Sequence, residues 1–205
     1  MSSHAQSAAT LSPDEYLEFE RGSEIRHEYV DGRIIEMAGT THRHSAIVVN
    51  LIPALHPQLR GSSCRVLSTT MRVIVSRKRD YVYPDVLVVW NPVDLEDEHH
   101  DSLRNPALIV EVLSPSTQDY DHGRKWLLYQ RISSLRDYLL VSQDRVQVER
   151  YERQADGSWL YRVLDDPEAE LRLDSIGCTL ALNDIYENVL EADAERSTST
   201  DIEHG

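Results

Sequence analysis

Two apolar runs, each carrying one carboxylate, constrain this chain more than any other feature. The first is Pro84-Asp85-Val86-Leu87-Val88-Val89-Trp90 and the second is Ala107-Leu108-Ile109-Val110-Glu111-Val112-Leu113. Unbroken runs of β-branched and aliphatic residues of this length belong to strands covered on both faces. An ionised carboxylate inside such a strand is costly unless it is paired or ligates a cation. If the two strands are neighbours, Asp85 and Glu111 converge on a hard divalent cation, magnesium or manganese, which prefers oxygen ligands. The backbone carbonyl of Val112, beside Glu111, is a candidate third ligand. A purely structural alternative stands beside this reading: Asp85 as a strand-entry cap, Glu111 ion-paired with Arg124 or Arg72, and Lys125 solvated on a helix.

The rest of the chain reads as alternating elements. Ser12-Pro13-Asp14-Glu15 is a helix start with a capping box, and Gly22 ends that helix. Asp31-Gly32 joins the strands Ile25 to Val30 and Arg33 to Met37 into a hairpin. Ile47, Val48, Leu51, Leu55 and Leu59 share one helical face, so a helix is expected from His44 to about residue 56, shortened or kinked by Pro53 and Pro57. Strands are expected at Arg65 to Leu67, Met71 to Ser76, Val86 to Trp90 and Leu108 to Leu113, with a charged loop over Asn91 to Asn105. A helix over Asp121 to Ile132 follows, then a strand at Tyr138 to Ser142. A hairpin of Val146 to Tyr151 and Trp159 to Val163 turns at Asp156-Gly157, and a last short helix lies near Asp184 to Leu190. Strands interleaved with helices, together with antiparallel hairpins, imply an α/β or α+β domain over residues 11 to 190, a mixed β-sheet flanked by helices. Residues 1 to 10 and the acidic tail 191 to 205 are expected to be disordered.

Charge and cysteine usage narrow the function. The formal net charge is -14, which argues against a broad basic grip on nucleic acid and leaves room only for a local, metal-aided site. Cys64 and Cys178 make neither a zinc pattern nor a disulfide framework, and no run reaches the length of a membrane span. A cytoplasmic protein is expected. Among 21 cationic residues only Lys78 and Lys125 are lysines. In phosphodiester hydrolysis a metal neutralises the phosphate and lowers the pKa of bound water, while a nearby Lys orients that water or screens developing charge. Asp85, Glu111 and Lys125 are therefore the candidate catalytic set. Tyr129, one turn after Lys125, lies on the same helical face. His99-His100 reads as loop surface.

Several segments taken in order, Glu28-Tyr29-Val30-Asp31-Gly32, Tyr83-Pro84-Asp85-Val86 and Glu111-Val112-Leu113-Ser114-Pro115-Ser116-Thr117 followed by Asp121, Lys125 and Tyr129, resemble the PD-(D/E)XK nuclease superfamily and, within it, the Uma2 family of restriction-endonuclease-like proteins. The resemblance covers roughly residues 12 to 190. It implies the restriction-endonuclease-like fold, a divalent cation held by Asp85 and Glu111, and nucleic acid, DNA first, as substrate. The superfamily pattern places Lys two residues after the acid, where this chain has Leu113, so the resemblance implies that Lys125 reaches back from the following helix in its place. Superfamily nucleases often add a Glu from the first core helix. His44 to Leu59 contains none, which makes Glu28 or His44 the supporting candidate. Cutting both strands of a duplex generally takes two sites, so a homodimer is expected on symmetry grounds. A catalytically inactive binding or regulatory module is the competing expectation, supported by Leu113 and the acidity.

Overall fold

The computed structural model describes residues 11–37, 39–68, 70–75, 79–115 and 117–190; the two terminal segments expected to be disordered lie outside them. Its centre is a six-stranded sheet in the order β11-β10-β9-β8-β6-β3. These strands are β3 (Cys64–Ser68), β6 (Val86–Trp90), β8 (Pro106–Leu113), β9 (Asp137–Ser142), β10 (Val148–Arg153) and β11 (Trp159–Leu164). Only β8 and β9 run parallel to each other, and every other neighbouring pair is antiparallel. Parallel neighbours need a crossover, and here it is the helical segment of α3 (Gln118–Tyr120), a π-helical turn (Asp121–Lys125) and α4 (Trp126–Tyr129).

Both acid-bearing runs are interior strands, as their composition predicts. β8 is buried along its whole length, and β6 is buried except at Trp90. Alternation along β8 splits its side chains between two cores. Leu108, Val110 and Val112 pack with Ile47, Leu51 and Leu55 of α2 (His42–Leu55) and with the hairpin β12 (Glu170–Leu173) and β13 (Cys178–Ala181). Ile109 and Leu113 face the opposite way, toward Leu128 and Tyr129 of α4 and Tyr138 of β9. A second sheet, order β2-β1-β5-β4-β7, comprises β1 (His27–Val30), β2 (Arg33–Glu36), β4 (Arg72–Ile74), β5 (Tyr81–Val82) and β7 (Ser102–Leu103). It contributes Val30, Val73 and Val82 to the α4-side core.

Local signals hold where the chain dictates its own geometry. In α1 (Pro13–Gly22) both halves of the Ser12–Glu15 capping box are made. Asp31 and Gly32 sit at φ of 50° and 78°, the left-handed pair that a two-residue turn matched to strand twist requires. Four expectations need correction. The charged loop 91–105 contains β7, which pairs parallel to β4. The helix expected over Asp121 to Ile132 starts at Gln118, passes through the π turn and stops at Tyr129. The strand expected over Met71 to Ser76 is Arg72–Ile74, with Ser76 outside the described residues. The last helix is α5 (Leu182–Ile185), earlier and shorter than Asp184 to Leu190, and the β12–β13 hairpin precedes it. Among the described residues no helix is long and apolar enough to cross a membrane.

Candidate active site

The site forms where β8 ends and β6 begins. Val86 pairs with Val110 in the antiparallel β6–β8 ladder, so Asp85, one residue before β6, comes level with Glu111 on the adjacent strand. The ladder stops there, and the Val112 N–H that would have continued it donates to Asp85 Oδ2 at 2.8 Å. A strand residue projects its N–H and C=O to the same side, so the Val112 carbonyl is directed to that same end of β6. On the other flank, α2 brings His44 Nε2 within 3.1 Å of Asp85 Oδ2. The Thr41 hydroxyl caps α2 by accepting from the His44 N–H at 3.1 Å, which fixes where His44 emerges.

Glu111 points to the α4 side. Its Oε1 lies 3.0 Å from Lys125 Nζ and accepts from the Tyr129 hydroxyl at 2.5 Å. Lys125 does reach back across the sheet end from the crossover. Its ammonium also meets Glu28 Oε1 at 3.2 Å and Asp121 Oδ1 at 3.4 Å. Glu28, on β1, is held in turn by the Tyr83 N–H at 3.2 Å and the Tyr120 hydroxyl at 3.0 Å. Arg124 and Arg72, the structural partners considered for Glu111, are engaged elsewhere, on Asp31 and on Asp101 and Ser102.

Three carboxylates thus surround one buried ammonium, with Asp85 just beyond, and the charges do not balance. Burial raises the Glu111 pKa well above its ordinary value, and Asp121, Asp85 and Glu28 push the same way against the opposing pull of Lys125. Burial works against the charged Lys125, but Glu111, Glu28 and Asp121 outweigh it and hold its pKa well above the ordinary one. Lys125 is therefore a fixed cation and not a base at neutral pH, while the cluster has unmet demand for positive charge. Asp121 Oδ1 is buried without a hydrogen-bond partner. This excess of hard oxygen donors suits a divalent cation. Among the described residues no three His, Cys, Asp or Glu side chains already gather around a common ligating point.

All the expected residues lie at this place: Asp85, Glu111, Val112 and Lys125 at its centre, Glu28, His44 and Tyr129 in direct contact with them. Asp121 and Tyr120 were missing from the expected set. Asp121 had a legible signal, since it stands four residues before Lys125 and so shares its helical face; the π turn that holds them there had none. π turns recur at functional sites because the widened turn re-aims side chains. Gln143, just past β9, is also buried, accepts from the Thr41 hydroxyl and leaves Nε2 without a partner.

Comparison with known proteins agrees with this architecture. Over 191 residues the chain is 38% identical to the uncharacterized protein slr1290 of Synechocystis sp., covering 91% of this chain and 97% of that one. It is 32% identical over 161 residues to sll1609 of the same organism, covering 78% and 91%. The crystal structure of a "putative nuclease belonging to DUF820" from Anabaena variabilis superposes with a TM-score of 0.72 at 21% identity, covering 88% of this chain and 99% of that one, which establishes the shared fold. The family model for Uma2, described as "Putative restriction endonuclease", matches residues 13–183, and the chain belongs to that family.

Proposed function

We propose that this protein is a metal-dependent endonuclease that hydrolyses phosphodiester bonds of nucleic acid, DNA in the first instance, with magnesium or manganese held by Asp85, Glu111 and the Val112 carbonyl. The observation that carries the reading is the charge imbalance around Lys125: buried carboxylates from three separate parts of the chain meet a single ammonium. Buried acids kept together in excess of their counter-charges are expected where a cation is to be bound. When bound, such a cation neutralises the phosphate and lowers the pKa of water.

The chain's own groups have distinct tasks. The Val112 N–H and His44 fix the Asp85 carboxylate, and the Tyr129 hydroxyl fixes that of Glu111. Lys125, kept protonated, donates to the attacking water or to a phosphate oxygen and so stabilises charge that develops in the transition state. Glu28 and Asp121 hold the ammonium in place.

The test is plasmid nicking with manganese or magnesium, with single- and double-stranded DNA and RNA in parallel. Wild type should cleave, Asp85→Ala and Glu111→Ala should not, and Lys125→Ala, assayed at a temperature where circular dichroism shows it folded, should lose a factor on the order of 10² or more. Lys125→Arg should rescue poorly, because a planar guanidinium does not fit where a compact ammonium sat. Wild-type inactivity on every substrate would replace the enzyme with a nuclease-derived binding or regulatory module.

A further inference from the structure

The outer edge of the six-stranded sheet is β11, and the hydrogen bonds around it determine which of its backbone groups are free. The Arg153 N–H donates to the Arg136 carbonyl and the Ser142 N–H to the Gln147 carbonyl, so odd-numbered residues of β10 face β9. The Gln154 N–H donates to the Ser158 carbonyl, so even-numbered residues face β11. With Val148 opposite Leu164, Arg150 opposite Arg162 and Glu152 opposite Leu160, the even residues of β11 bond inward. Trp159, Tyr161 and Val163 therefore aim N–H and C=O outward. The same edge exposes apolar side chains: Leu160 is 36%, Tyr161 48% and Val163 45% accessible. An edge with outward-facing backbone groups and apolar side chains is a template for another strand unless charge or proline blunts it, and Arg162 is the single charge within β11.

We propose that β11 pairs antiparallel with β11 of a second copy about a two-fold axis at Tyr161. Register decides the partner. Centred on Tyr161, every outward-facing residue meets an outward-facing residue: Tyr161 meets Tyr161 of the second copy and Trp159 meets Val163, each pair exchanging both ladder hydrogen bonds. The side chains agree, giving an aromatic pair on the axis, an aromatic–β-branched pair on either side, and on the opposite face Leu160 beneath the aliphatic stem of Arg162. Shifting the axis to Arg162 sets two guanidinium groups opposite each other. Shifting it to Leu160 sets Val163 opposite Gly157, which has no side chain to pack. Tyr161 is already fixed in place, its ring 5.0 Å from that of Tyr151 and its hydroxyl donating to Glu149 Oε2 at 2.9 Å, so pairing costs little extra ordering. The inference rests on the strand edge alone and is independent of the nuclease reading.

Light scattering and sedimentation of the full chain over a dilution series into the high-micromolar range provide the first test. Wild type should double its mass with rising concentration, whereas Tyr161→Lys and Val163→Lys should stay monomeric with the far-ultraviolet circular dichroism of the folded wild type. A monomeric wild type throughout, or a dimer that survives both substitutions, overturns the proposal. Cysteine cross-linking tests the register: under mild oxidation Tyr161→Cys should form an intermolecular disulfide, because residues facing across the axis lie within disulfide reach. Val163→Cys should not, since its counterpart lies four residues further along the strand. The reverse pattern, or cross-linking at neither position, overturns the axis.

Discussion

Two buried ionic clusters stand at opposite ends of the parallel pair β8–β9, and they are built on different stoichiometry. At the β9 start, Asp137 Oδ1 accepts from Arg150 Nε and Nη2 at 2.8 and 2.6 Å, and Asp137 Oδ2 accepts from the Ser175 hydroxyl at 2.5 Å. One carboxylate, one guanidinium and one hydroxyl satisfy each other, with Glu152 adding a half-exposed contact at 3.2 Å. At the β8 end, Glu28, Glu111 and Asp121 share the Lys125 ammonium, and Asp121 Oδ1 has only that 3.4 Å ion contact and no hydrogen bond. Both clusters are nearly inaccessible to solvent, so burial does not distinguish them. The closed balance of the first makes it a structural joint; the open balance of the second is the feature on which the proposed cation site rests.

The largest expected effect falls on the balanced cluster. Asp137→Ala leaves the buried Arg150 guanidinium with only the partly exposed Glu152 and should cost about 3–5 kcal/mol in urea unfolding, with no dependence on divalent ions. A loss below about 1 kcal/mol, within the range of an exposed pair, would show that the Asp137–Arg150 pair is not the structural joint its geometry describes.

A smaller effect, of opposite character, belongs to the unbalanced cluster. Manganese or magnesium should raise wild-type stability by about 2.7 kcal/mol at a concentration 100 times its Kd, and chelator should remove the gain. The pH dependence follows from Glu111. Its folded pKa is raised, so the folded state retains a proton that the unfolded chain has already lost, and metal-free stability falls as pH climbs from the ordinary carboxyl value of 4.5 through the folded one. A metal displaces that proton, so its stabilising increment should grow over the same window. Melting with and without manganese from mildly acidic to mildly alkaline buffer measures it; a flat increment would detach Glu111 from the metal.

What the sequence disclosed about these regions follows a physical division. Features fixed within a few residues were legible: the Ser12–Glu15 box, the Asp31-Gly32 turn, and the burial of β6 and β8 written in their unbroken apolar runs. So was the identity of the central acids, because a carboxylate within such a run has few tolerable environments. Features that depend on distant partners were not. β7 is a two-residue strand within a charged segment, and it exists because Arg72 and Val73 supply the ladder that its own residues do not advertise. The β12–β13 hairpin alternates Leu171 and Leu173 with exposed Glu170 and Arg172, a short pattern between acidic stretches that becomes a strand only against the α2-side core. The π turn leaves no sequence mark, yet it sets where Asp121 and Lys125 meet Glu111.

The smallest effect, and the one that separates the clusters most sharply, is expected from Glu111→Gln. In a balanced pair the neutral isostere removes a needed charge, so the variant is less stable. Here the amide carbonyl still accepts from Tyr129, while Lys125 keeps Glu28 and Asp121, and one of several mutually repelling carboxylates has gone. Because the ionised form of Glu111 is disfavoured by burial and by Asp121, Asp85 and Glu28, neutralising it should leave the metal-free protein within about 1 kcal/mol of wild type at neutral pH, on the stable side. The gain from manganese should disappear in the same variant, since a neutral amide is a poor substitute for a carboxylate ligand. Parallel urea titrations with chelator and with manganese read both numbers from one preparation. A clear loss of metal-free stability would mean that Glu111 and Lys125 form a structural pair like Asp137 and Arg150, and the contrast between the two clusters would collapse.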